Sequence, residues 1–198
     1  MGVHPKGRFA ALTNYRDLSR LHENPITRGN LVRGFLESEE APLAYLSRIR
    51  ETGDQYDGFN LLVADGENMA YFGNFSDGIK EVLPGIHGIS NALLDTPWPK
   101  VDKAKASLTA LIKDGNISPD VLIGLLQSES YAPDHLLPQT GVPLEMERQL
   151  SAQRIRMGDE YGTVNTTAVL WKHNGDFVVK EQRHDLPDVT EKTFRMDK

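Results

Sequence analysis

The sequence predicts an α+β fold built on antiparallel sheet. Three observations predict it: apolar runs joined by Asp65-Gly66 and Asn174-Gly175 turn signals, helical stripes grouped between those runs, and 198 residues without a linker-like composition shift. In chain order, Gly7–Asn14 is an apolar run behind the turn signal His4-Pro5-Lys6-Gly7, the pattern of a hairpin's second strand. Its partner is expected upstream, where Met1, Gly2 and Val3 stand, so a strand-bearing segment missing from the N-terminus is one expectation. Two helices follow, one with Leu31, Val32, Phe35 and Leu36 at helical spacing behind Thr27 as N-cap, the other over "APLAYLSRIRETG". "FNLLVADGENMAYFGN" reads as strand, turn and strand, and "SDGIKEVLPGIHGISN" as further extended segments. Val101, Ala104, Leu108, Leu111 and Ile112 form a helical stripe closed by Gly115, and Ser118-Pro119 opens a second helix. A short helix at Leu144–Leu150 precedes two strands around Asn174-Gly175, which are expected to return beside the first strands. Periodicity does not choose between one sheet and two stacked sheets between helical layers. The whole, residues 1–198, reads as a single domain.

Composition narrows the partners. Lys and Arg number 22 against 28 Asp and Glu, a net charge of −6 without long blocks, so no basic footprint for nucleic acid or an anionic membrane is present. The absence of cysteine excludes disulfides, thiolate-bound metals and a cysteine nucleophile within these residues. With no signal-peptide pattern and no apolar run of spanning length, the expected location is cytoplasmic. The six histidines show no ligand spacing and no phosphate loop or dinucleotide fingerprint occurs, so neither a metal site nor a cofactor is expected. Leu137-Pro138-Gln139-Thr140-Gly141 fits a sorting pattern but lacks the hydrophobic segment and basic tail that must follow it.

Three strand-flanking segments are dense in polar residues: "LTNYRD" with Asn14, Arg16 and Asp17, "GISNALLDTPWPK" with Asn91, Asp95 and Trp98, and "YGTVNTTAV" with Thr163, Asn165 and Thr167. Each can be turn chemistry, in which short polar side chains satisfy local backbone groups. Asparagines at strand ends can instead aim uncharged, rigidly held donors at a developing oxyanion.

The order "GRFAALTNYRD", "TRGNLV", "YDGFNLLVAD", "GISNALLDTPWPKVDKAK", "LPQTGV" and "YGT" resembles the Asn-Arg-Asp-Glu (NRDE) family, also called the transport and Golgi organisation protein 2 family, over nearly the whole chain. The resemblance implies an N-terminal-nucleophile hydrolase-like fold, a four-layer αββα sandwich with antiparallel sheets. Family members begin Met-Cys and carry the Asn-Arg-Asp-Glu signature on the next strands, and this sequence has neither. In that chemistry a first-residue side chain attacks a carbonyl, its own α-amine is the base, and nearby donors hold the oxyanion. Gly2 offers no side chain for the attack. By likeness to choloylglycine-type amidohydrolases, Asn14 resembles the asparagine whose backbone lies at the oxyanion hole and Asn91 the one supplying an amide. Arg16, Asp17 and Asp95 stand in the same motifs as binding residues, with a salt bridge or turn as their alternative role. Val164 replaces an arginine usual in the family.

The resemblance thus implies amide or other C–N bond hydrolysis in the complete protein, with the nucleophile absent here. Its rival is a non-catalytic carrier of a small ligand, such as haem or an acyl-CoA, matching the family's link to haem trafficking and lipid homeostasis. The expected partner is a small-molecule substrate or ligand, and an exposed sheet edge would favour a homo-oligomer.

Overall fold

The computed structural model describes residues 1–196 and has the antiparallel, mixed architecture expected of an α+β fold. It divides into two compact units, Met1–Thr96 with Met196, and Pro97–Arg195.

In the first unit, β1 (Gly2–His4), β2 (Arg8–Asn14), β3 (Phe59–Ala64), β4 (Met69–Gly73) and β5 (Lys80–Glu81) form one antiparallel sheet in sequential order. The partner sought for the opening strand is β1 itself, Gly2 lying opposite Ala10 and His4 opposite Arg8. Gly7 closes the turn at φ 74°, a left-handed conformation that glycine adopts without a Cβ penalty. The Asp65-Gly66 hairpin is present, with Gly66 at φ 89° and Asp65 Oδ1 accepting from the Asn68 N–H at 2.9 Å. The extended residues expected after Asp77 reduce to the two of β5.

Between β2 and β3 the chain forms α1 (Gly29–Glu37) and α2 (Pro42–Arg50). Thr27 does not cap α1 with its side chain, because Arg28 occupies the cap position and the Thr27 backbone carbonyl accepts from Asn30. The far end of α1 is closed by Arg8, whose guanidinium donates to the Phe35 carbonyl at 3.0 Å and to the Glu40 carbonyl at 2.8 Å. Both helices cover one sheet face, where Leu31, Phe35, Tyr45, Leu46, Phe59, Leu61 and Val63 are buried in a common core. Strand alternation explains the selection: Ala10, Leu61 and Val63 point into this core, while Thr13, Asn60 and Tyr71 point to the opposite face. Gly2 belongs to the helix side, since a Cβ there would lie 2.5 Å from Leu36 Cδ1.

The second unit holds α3 (Pro99–Lys113), α4 (Pro119–Leu125), α5 (Leu144–Leu150), a short ladder of β6 (Arg156–Met157) with β7 (Tyr161–Gly162), and a sheet in the order β10 (Val189–Arg195), β9 (Asp176–Arg183), β8 (Asn165–Trp171). Ser118 caps α4 through its hydroxyl, which accepts from the Val121 N–H at 3.3 Å. Of the one-sheet and two-sheet alternatives, the late strands take the second, hydrogen-bonding among themselves in a sheet of their own with β10 as the third member. That strand escaped notice because "VTEKTFR" alternates polar with polar, and it is exposed nearly throughout. Among the described residues no helix is long and apolar enough to cross a membrane.

Candidate functional site

The sheet face opposite the helices carries a polar cluster rooted in Asn60, a residue 1% exposed inside an otherwise apolar strand. A buried amide must spend its donors and acceptor on protein partners. Asn60 Nδ2 donates to Thr13 Oγ1 at 3.1 Å and to the Ala92 carbonyl at 2.9 Å, while its Oδ1 accepts from the Tyr71 hydroxyl at 2.7 Å. Thr13 Oγ1 donates to the Ser90 carbonyl at 2.7 Å, and the Tyr71 oxygen accepts from the Leu94 N–H at 3.2 Å. The segment Ser90–Leu94, which has no regular structure, is thereby fixed at three backbone points by three strands. Gly73 is part of the fit, as a Cβ there would come within 2.7 Å of the Tyr71 hydroxyl and 2.9 Å of Asn60 Oδ1. Burial raises the Tyr71 phenol above its ordinary pKa, with the Leu94 hydrogen bond acting in the other direction.

This docking brings Asn14 and Asn91 together. Asn91 Nδ2 donates to the Asn14 carbonyl at 3.0 Å, and the Asn91 carbonyl accepts from the Arg16 N–H at 2.7 Å. Asn91 therefore lies along the edge of β2 beyond the stretch paired with β1. The Tyr15 N–H points the other way, to the Gly58 carbonyl at 2.8 Å. Because backbone groups alternate sides along a strand, the Asn14 N–H faces the same edge as Asn91. An amide nitrogen carries two protons, so the bond that pins the Asn91 side chain leaves a second donor beside that N–H.

The acidic candidates have local partners. Asp17 starts the turn Leu18–Arg20, accepting from the Ser19 N–H at 3.0 Å and the Ser19 hydroxyl at 2.6 Å, and these hydrogen bonds hold its carboxyl below the usual range. Arg20 pairs with it at 3.2 Å. Asp95 sits at φ 60°, and its Oδ1 accepts from the Gly88 N–H at 3.0 Å while Oδ2 lies 2.7 Å from His87 Nδ1. Of the third polar segment, Thr163 closes the β6–β7 ladder by accepting from the Ile155 N–H at 2.9 Å, Thr167 bonds Glu181, and Asn165 is exposed.

Sequence reasoning did not single out Thr13, Asn60 or Tyr71. The available signal was Asn60 itself, a lone amide in "FNLLVA" where the period demands burial. A separate cavity of about 470 Å³ opens in the same unit, lined by Arg20, His22, Arg50, Phe72, Asn74 and Phe75 among others. Phe75 meets Tyr15 edge to face at 5.0 Å, so its wall begins one residue from Asn14.

Comparison with known proteins matches residues 1–185 to the family described as Transport and Golgi organisation 2. The chain is 35% identical to the bovine (Bos taurus) Transport and Golgi organization protein 2 homolog over 198 aligned positions, covering 92% of this chain and 70% of the relative. It is 33% identical to the human (Homo sapiens) homolog and 32% identical to the mouse (Mus musculus) homolog, each over 196 positions with the same coverage.

Proposed function

The chain belongs to the Transport and Golgi organisation 2 family, and from that premise we propose that the β2 edge at Asn14 and Asn91 is a carbonyl-binding site of the N-terminal-nucleophile hydrolase type. In this reading the substrate class is a small amide. The Asn14 N–H and the second Asn91 amide proton stabilise the oxygen that gains charge when a nucleophile adds to the carbonyl. The observation that carries the reading is the 3.0 Å bond from Asn91 Nδ2 to the Asn14 carbonyl, which fixes two uncharged donors at one strand edge. These residues hold no cysteine, and a side chain on Gly2 would face Leu36 rather than this edge, so in this reading they supply the oxyanion donors and not the nucleophile, and amide hydrolysis belongs to the complete protein.

The test is an NMR titration with short N-acyl amides, reading the Asn14 amide and the Asn91 side-chain amide. Both signals are expected to shift together with no product formed, and Asn91→Ala is expected to abolish the shift at Asn14. A panel that moves neither signal, or that is hydrolysed by this chain, overturns the reading.

The cavity favours a second reading, a carrier for an anionic amphiphile. Arg50 has no ion-pair partner among the described residues, and Phe72 and Phe75 supply an apolar wall. A fatty acyl-CoA is expected to co-elute with the protein, and Arg50→Glu to release it. Haem, the other candidate cargo, would find His22 in the lining. Co-elution unchanged by Arg50→Glu removes the cavity from consideration.

A further inference from the structure

The ring of His87 lies between two acceptors. Nδ1 is 2.7 Å from Asp95 Oδ2, and Nε2 is 3.0 Å from the Leu83 carbonyl oxygen. A carbonyl oxygen only accepts, and an ionised carboxylate only accepts. A neutral imidazole has one N–H and satisfies one of these contacts, whereas the imidazolium satisfies both. The same carboxylate also holds the Gly88 N–H, and the Asp95 N–H donates to the Gly88 carbonyl at 2.8 Å. The segment Gly88–Asp95 is thus closed at its base, and Asn91 lies within it. Asp95 adopts a left-handed conformation to do this, which is unfavourable for a residue with a Cβ and needs compensating bonds.

We propose that His87, as an imidazolium clasped between Asp95 and the Leu83 carbonyl, is the positioning residue that holds the Asn91 segment on the edge of β2. Its functional consequence rests on the carbonyl-site reading, but the clasp itself does not. The Asp95 carboxylate is a charged group that faces the ring at 2.7 Å. Lys80 and Glu81 of β5 belong to the segment that supplies the Leu83 carbonyl and are both exposed. Side chains of His87 and Asp95 are about one third exposed, 34% and 33%, so the ring exchanges protons with solvent. The sign follows directly. The clasp is complete while the ring is doubly protonated and loses one hydrogen bond as rising pH removes the second proton.

The experiment uses the full chain without ligand. Ring nitrogen NMR identifies the protonation state of His87 while the Arg16 amide and the Asn91 side-chain amide are followed from about pH 5 to about pH 9, a span centred near the ordinary histidine titration. In the native protein both reporters are expected to move with the His87 titration. His87→Gln donates to Asp95 at every pH, so its reporters are expected to stay fixed. Asp95→Asn tolerates the left-handed backbone and offers an N–H to a neutral ring. That variant is expected to reverse the direction, closing the clasp at high pH and straining it at low pH. A His87 ring already neutral at about pH 6, below its ordinary value, overturns the proposal. So do reporters that ignore the ring's titration in the native protein, or an Asp95→Asn response with the native sign. Binding of the N-acyl amide probe is then measured at both ends of the range. Loss of the probe alone counts against the carbonyl site, and loss of the reporter response counts against the clasp.

Discussion

At the residue scale, the site depends on one buried amide more than on the asparagines that the motifs advertise. Asn60→Ala would leave the Ala92 carbonyl and the Tyr71 hydroxyl without their partner in a dry setting. Unmet buried polar groups cost roughly 1–3 kcal/mol each, so a loss of about 3 kcal/mol is expected, measured by urea unfolding. Asn14, at the end of β2, and Asn91, in irregular chain rather than at the strand end expected for it, were legible as candidates because they stand in recognisable segments. Asn60 and Tyr71 were not, because their roles depend on cross-strand register that no local pattern reveals. Tyr45 makes a second prediction. Burial pushes its phenol up to about 12, and its hydroxyl donates to the Leu31 carbonyl at 2.7 Å. The folded state keeps the proton that the unfolded chain releases near its ordinary value, so stability present below about pH 10 declines as pH rises toward the folded pKa. Tyr45→Phe is expected to flatten this alkaline decline, by about 2 kcal/mol across the window, when chemical stability is measured against pH.

At the element scale, α1 is held by contacts that amphipathic spacing does not disclose. The apolar stripe Leu31, Val32, Phe35 and Leu36 was legible and faces the core, but the closure by Arg8 comes from a strand more than twenty residues away. The Arg8 guanidinium also lies 3.9 Å from the Phe35 ring centroid, combining a planar stack with its forked donors. Arg8→Lys keeps the charge and loses the fork, so a destabilisation of about 2 kcal/mol is expected in urea. Gly34 tests the packing of α1 against α2. Alanine usually gains about 1 kcal/mol over glycine inside a helix. Here a Cβ would meet the Tyr45 hydroxyl at 2.8 Å. Gly34→Ala is therefore expected to destabilise by about 1–2 kcal/mol, the opposite sign to propensity, and to lower the melting temperature.

At the scale of the whole molecule, the antiparallel α+β class was readable from hairpin signals, whereas the grouping of strands into sheets was not. Local pairing reports which strands are neighbours in sequence, and only long-range contacts decide which strands share a sheet. The single-domain reading of the sequence has a direct optical test. Both tryptophans, Trp98 and Trp171, belong to the second unit, while Asn60 belongs to the first. If the chain unfolds as one cooperative domain, Asn60→Ala shifts the tryptophan fluorescence midpoint as far as circular dichroism. A fluorescence transition left in place would mean two independent units. The opposed faces of β2 also dictate which changes in length a lineage can survive. Leu12 lies opposite Leu61 and Thr13 opposite Asn60. One residue gained or lost between Arg8 and Asn14 would exchange the two faces, turning the hydroxyl into the oily layer and the leucine toward the amide. Gaps among related sequences should accordingly avoid β2 and collect at turns such as Asp114–Ile117, where Gly115 has open space around it.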